Sequence, residues 1–292
     1  MRLIFCSLLL LTVSMSTGAA APRPAVIEAV RTALRTKDIE AAVDAADKAV
    51  AALPQSAEAW HLAADAYGRM AQTASIFSKL SWAKKCRDAY LNAVTHDPRR
   101  FQAQMDLLQF YLRAPGIAGG GRDEADAQAA NIGKLDKAWG HRAQAAIALV
   151  DKDDAAYERE ALAAVAADSA ESRHRVDLVF VFTNRARFRD AFRIVDEGLA
   201  KSPDDPLLNY QVGRLAALSG QQLDRGLAAL AKVGAITDKP DDLSEAGISW
   251  RRAMILEKLG RKAEALPEYR RAAVLEPAMK EQIEKDIARV KK

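Results

Sequence analysis

The segment from Ala246 to Pro277 narrows the folds open to this 292-residue chain more than any other. Ser249, Ala253 and Leu256 recur at three- and four-residue spacing, a turn follows at Leu259-Gly260-Arg261, and Ala265, Tyr269, Ala272 and Ala273 resume the helical cadence before Pro277 closes it. Two short helices of this kind bury too little apolar surface to stand alone in water. Small residues in the first helix, a glycine at the turn and an aromatic between alanines in the second are what a hairpin needs if it is to press against a copy of itself. The composition agrees: aromatics are 6% and charged residues 28%, which suits close-packed helices with solvated outer faces.

The rest of the chain repeats the pattern. Val26, Ala29, Val30 and Ala33 lead to a turn at Lys37-Asp38, then Ala42, Val43, Ala46, Ala49 and Pro54. Trp60, Ala63, Ala64 and Tyr67 open a second unit that ends with Cys86, Tyr90, Ala93 and Pro98, with an excess of about ten residues inside 70–84, including Ile76, Phe77, Leu80 and Trp82. Such an excess lengthens one or both helices, and its apolar content calls for something to pack on. A third unit carries Leu107, Leu108 and Tyr111, an extended turn over Pro115 to Gly121, and Ala125, Ala129 and Ile132. The fourth, 138–169, is the most divergent: Tyr157 falls near a small-residue position and no closing proline is present. Phe182, Phe188, Ala191, Phe192 and Pro203 mark the fifth, and Val212, Gly213, Ala216, Gly220, Leu227 and Leu230 the sixth, with one extra residue near Gln221.

This recurrence resembles the tetratricopeptide repeat, of the kind found in exported bacterial proteins. The resemblance implies an all-α fold, a right-handed α-α superhelix of about seven helical hairpins (about 23–54, 57–98, 101–137, 138–169, 172–203, 206–238 and 246–277), followed by a capping helix over 278–292. Met279, Ile283, Ile287 and Val290 would face the last hairpin, with Lys280, Glu281, Glu284, Lys285 and Asp286 around the remainder. Small residues such as Ala64, Gly213 and Ala253 would let neighbouring helices approach, and Tyr90, Phe182 and Tyr269 would fill the gaps. In the family, first helices line the inner surface. That offset selects Val176, Phe180, Thr183 and Asn184, then Tyr210 and Arg214, then Trp250, Met254 and Glu257 as a peptide-binding face. The earlier repeats supply the more polar His61, Asp65, Met105 and Gln109. Arg173, Arg175, Arg185, Arg187, Arg189 and Arg193 are expected on a solvated rim.

The first twenty residues are a different material. Arg2, the apolar run from Leu3 to Val13 and the small residues up to Ala20 read as a secretory signal peptide cleaved after Ala20, which places the chain in the periplasm or outside the cell and leaves no integral membrane span. Cys6 lies too early to carry a lipid after a signal. Cys86 would then be the sole thiol, standing where the repeat wants a small apolar filler.

Signals for chemistry are weak. His61, His96, His141 and His174 form no His-x-x-x-His or paired-cysteine spacing, so no metal site and no cofactor are expected. Gly116 to Gly121 has phosphate-loop spacing, but Arg122-Asp123 stands where Lys and Ser/Thr are needed. Ser81-Trp82-Ala83-Lys84 matches a Ser-x-x-Lys pair without its companion motifs. A net charge of +4 with no block of lysines or arginines argues against nucleic acid. The sequence therefore points to a non-enzymatic scaffold or adaptor for a protein or peptide. The alternatives are a self-associating structural protein (a homo-oligomer) and an enzyme with its site in the inserted loops 70–84 or 115–121.

Overall fold

A computed structural model describes residues 24–168, 170–240 and 242–291; the predicted signal segment and its cleavage point lie outside the described residues. Every regular element among these is helical. In chain order they are α1 (Ala25–Thr36), α2 (Ile39–Ala52), α3 (Ala57–Thr73), α4 (Ile76–His96), α5 (Phe101–Arg113), α6 (Arg122–Leu135), α7 (Lys137–Val150), α8 (Asp154–Ala167), α9 (Ser172–Asn184), α10 (Phe188–Leu199), α11 (Pro206–Ser219), α12 (Leu223–Gly234), α13 (Glu245–Lys258), α14 (Lys262–Leu275) and α15 (Lys280–Val290). They form seven consecutive hairpins and a terminal helix. The chain divides into two compact units after Ala89, within α4.

In the first unit, α1, α2 and α3 pack on one another through Ile27, Val30, Ala42, Ala46, Ala49, Ala59, Ala63 and Ala64, all nearly or wholly buried. The α1–α2 turn is made by Lys37 in the left-handed region at φ 60 and by Asp38, whose carboxylate accepts from the Ala41 N–H at 3.0 Å. The excess over 70–84 lengthens both helices of the second hairpin: α3 runs 17 residues, and α4 runs 21. Cys86 is buried as a filler against α3, its sulfur 3.3 Å from where a Cβ on Gly68 would stand.

In the second unit, α5 to α15 pack in sequence. Met105, Leu108, Ile132, Trp139 and Ile147 form one cluster, in which Phe101 stacks on Trp139 with ring centroids 5.2 Å apart. Leu178, Phe182, Phe192, Val195 and Val212 form the next. Close approach is built into α11 and α12: a Cβ on Gly213 would lie 2.2 Å from Leu230 Cγ, and one on Gly226 would lie 2.5 Å from Ala216 Cβ. The extra residue near Gln221 is absorbed by two left-handed residues, Gly220 (φ 76) and Gln222 (φ 52). Pro115 ends α5, and Ala118 of the following turn is fully buried.

A recurrent joint appears where a closing proline precedes a new first helix. The Pro54 carbonyl accepts from the Trp60 indole at 2.8 Å, Pro98 from the Gln104 amide at 2.9 Å, and Pro203 from the Asn209 amide at 3.0 Å. In these three joints the carbonyl just ahead of a helix is met by a side-chain donor from the fourth residue of that helix, Trp60, Gln104 or Asn209.

At the C-terminus α15 covers α13 and α14 with Ile283 and Val290. Asp286, expected among the solvated charges, is instead buried: it accepts from the Trp250 indole N–H at 3.0 Å and from Arg289 at 2.7 Å. An indole N–H facing a core needs an acceptor, and a carboxylate on the cap is the one within reach.

Candidate peptide-binding face of the second unit

The first helices α9, α11 and α13 lie side by side, α11 touching both others. Their sequences set the register. Tyr210 lies over Gly247, its hydroxyl 2.9 Å from where a Cβ would stand, so one turn further on Arg214 of α11 meets Arg251 of α13. Phe180 holds the matching position on α9.

The predicted face is brought together in part. Tyr210, Arg214 and Met254 converge: Tyr210 and Met254 are half-buried against the cluster of Leu207, Leu230, Ile248 and Ile255, and Arg214 is half-buried beside them. Phe180 and Asn184 stay exposed on α9. Val176 is half-buried and packs into that cluster, so it supports the face from beneath. Trp250 is turned to the cap, packing with Tyr269 and Ile283 while its N–H is taken by Asp286. Glu257 is also drawn away, accepting from the Tyr269 hydroxyl and from Arg289, both at 2.7 Å. Thr183 spends its hydroxyl on the Val179 carbonyl at 2.7 Å.

Electrostatics single out the two arginines. Arg214 reaches only Gln211 Oε1, at 3.5 Å. Arg251 lies over the Trp250 ring at 4.4 Å and points one nitrogen at the Met254 sulfur at 3.2 Å, leaving its Nε buried without a partner. Neither forms an ion pair within 4.0 Å among the described residues. Burial, and then the neighbouring Arg251 charge, hold the Arg214 pKa below the ordinary guanidinium value. Two like charges sharing a half-buried site without a counter-ion leave room for an anion.

Arg251 and Gln211 were not selected from the sequence. A signal for both arginines was present: no acidic residue stands three or four positions from Arg214 or Arg251, whereas Arg193, Arg122 and Arg261 each have one.

One residue of the arginine rim of α9 and α10 departs from expectation, while Arg187, Arg189 and Arg193 stay exposed. Arg175 is buried, donating to the Ile194 carbonyl at 3.3 Å, because Gly198 leaves its side chain space between α9 and α10. Arg185 and Arg187 share Glu158, Arg173 pairs with Glu171 and Asp242, and Arg193 pairs with Glu197. Two histidines are structural: His141 Nδ1 meets Glu160 at 2.8 Å, and His174 is fully buried.

Chains of packed helical hairpins with small residues at the crossings define the class of α-solenoid repeat proteins. Within it, this chain has the tetratricopeptide-repeat fold. It superposes on a tetratricopeptide repeat protein from Parabacteroides merdae with a TM-score of 0.50 at 14% identity, covering 91% of this chain and 98% of that one. It also matches a chain of the APC/C hetero-tetramer Cut9-Hcn1 with a TM-score of 0.51 at 12% identity, over 89% of this chain and about half (48%) of that one. No family model and no curated protein matches the sequence. No helix among the described residues is long and apolar enough to cross a membrane.

Proposed function

We propose that the chain is a non-enzymatic scaffold of an exported compartment, and that the face formed by α9, α11 and α13 holds an acidic segment of a partner protein. The observation that carries this is the pair Arg214 and Arg251, half-buried, adjacent and without a carboxylate, beside Tyr210 and Met254, with Phe180 exposed on the adjoining helix α9. A carboxylate placed between the guanidiniums supplies the missing counter-charge, and an apolar neighbour on the ligand covers Phe180 and Met254. Export rests on the charged, apolar and small-residue order of the first twenty residues.

The enzyme alternative loses support from its own loops. Pro115 to Gly121 contains no ionisable side chain, and 70–84 holds no carboxylate, histidine or cysteine, so the serines there, Ser81 with Lys84 included, have no carboxylate or histidine of their own segment to activate them. Nucleic acid is disfavoured because the arginines of α9 and α10 are largely consumed by Glu158, Glu171, Glu197 and Asp242.

The test is fluorescence anisotropy with a labelled peptide of glutamates flanking a phenylalanine, against the same peptide with glutamines. Arg214→Gln and Arg251→Gln should each weaken binding of the acidic peptide by about tenfold or more, with helicity unchanged by circular dichroism. Equal binding of the glutamine peptide, or wild-type affinity in both variants, overturns the assignment. Trp250 is a poor probe, because removing it also strips the cap of an anchor.

A further inference from the structure

The α3–α4 hairpin ends in a feature that the peptide-binding face does not use. Phe77 and Ile76 are 93% and 82% exposed, more than any other large apolar side chains among the described residues. Both sit in the first turn of α4, held by backbone bonds from Ser78 and Lys79 to the Ser75 carbonyl at 3.1 and 2.9 Å. They stand at the end of the longest pair of helices in the chain and are convex: at this exposure no neighbouring side chain encloses them.

Charge around them is one-sided. Between Asp65 and Asp88 there is no acidic residue, while Arg69, Lys79, Lys84, Lys85 and Arg87 are all cationic. Arg69 is tied back to the Leu34 carbonyl at 2.7 Å, and Arg87 is paired with Asp88. Lys79 and Lys84 are exposed, and the exposed Lys85 lies 4.5 Å from the Trp82 ring, which itself packs 5.9 Å from Tyr67. Behind the apolar tip there is thus a collar of lysines with long stems around the half-buried Trp82, which rests on the buried Tyr67.

We propose that this tip docks on an anionic lipid bilayer, with Ile76 and Phe77 entering the headgroup–acyl boundary and Lys79, Lys84 and Lys85 meeting lipid phosphates. A bilayer accepts a convex apolar projection without a preformed pocket, whereas a protein partner must supply one. A second copy of the chain is disfavoured, because two tips meeting would bring six lysines together while residues 66–87 of neither copy supply an acid. Two weak signals, apolar insertion and basic attraction, add to a reversible anchor. The hairpin therefore lies on the membrane and does not cross it.

The experiment is flotation of the purified exported chain with vesicles of phosphatidylcholine containing 30% phosphatidylglycerol, against pure phosphatidylcholine, in about 50 mM and about 300 mM salt. Flotation with the anionic vesicles only, weakened at least tenfold by Phe77→Asp and severalfold by Lys79→Gln with Lys84→Gln, and by the higher salt, is the expected result. A Phe77→Trp variant should shift its emission to the blue on anionic vesicles, with the depth of position 77 as the readout. No flotation at low salt, or flotation unaffected by Phe77→Asp, overturns the proposal. So does a change to dimer by light scattering without lipid that Phe77→Asp abolishes, or retention on polyglutamate that needs Phe77. The exposed Phe77 makes no packing contact that the fold depends on, and Arg214→Gln with Arg251→Gln should leave flotation unchanged, which separates this site from the peptide-binding face.

Discussion

His174 is held with no exposed surface and with neither ring nitrogen hydrogen-bonded, its ring edge-on to Trp139 at 5.1 Å between centroids. Burial first, and the Arg142 charge second, push its pKa down, against smaller opposing effects from Glu171, Asp177 and Asp168. A folded-state pKa below the unfolded value means that the unfolded chain takes up a proton that the folded chain refuses. Stability contributed by neutral His174 is therefore full above about pH 6.5 and declines as the pH falls through that value, with a slope approaching about 1.4 kcal/mol per pH unit. Urea unfolding at pH 7.5, 6.5 and 5.5 should show this decline in the wild type and a shallower one in His174→Leu; identical slopes would exclude the histidine. At this scale the sequence was only partly legible. Tyr210, Arg214 and Met254 could be selected by repeat offset, since position along a helix fixes direction. That Trp250 and Glu257 turn to the cap, and that Arg175 goes inside, depended on acceptors and spaces that other helices provide: Asp286, Arg289 and the gap at Gly198.

Among elements, the crossing of α11 and α12 is the tightest that a side chain would spoil. Gly213→Ala would place a methyl within 2.2 Å of Leu230, a residue with no exposed surface and little room to move. Overpacking of this kind costs about 1–3 kcal/mol, and thermal unfolding should report a lowered midpoint. Ala71→Gly on α3 is no equivalent, since it removes contact without forcing helices apart. The hairpins were legible because small residues and aromatics alternate at helical spacing. The longer second hairpin was legible as an excess of residues. What its apolar residues meet was not, because exposure at Ile76 and Phe77 depends on how far α3 and α4 outrun their neighbours.

Across the molecule, ion pairs link one hairpin to the next within each unit: Arg31 with Glu58, Arg122 with Asp151, Arg142 with Asp177, Arg185 with Glu158 and Arg225 with Asp196. In each of these pairs a repeat holds the one beside it, and the end of the array depends on its cap. Asp286→Ala leaves the Trp250 N–H without its acceptor, while Arg289 keeps Glu257, and should cost about 1–3 kcal/mol, read by tryptophan fluorescence during denaturation as an earlier exposure of α13 to α15. Coincident transitions at unchanged midpoint would show that the cap is dispensable.

Cys86, shut beneath Gly68 of α3, gives the chain a gauge of its own. A thiol in that position can meet an oxidant or a disulfide reagent only during the moments when α3 and α4 part, so its rate of modification counts those openings. Under oxidising conditions the same seal would keep the Cys86 thiol out of unwanted crosslinks for as long as the hairpin stays shut.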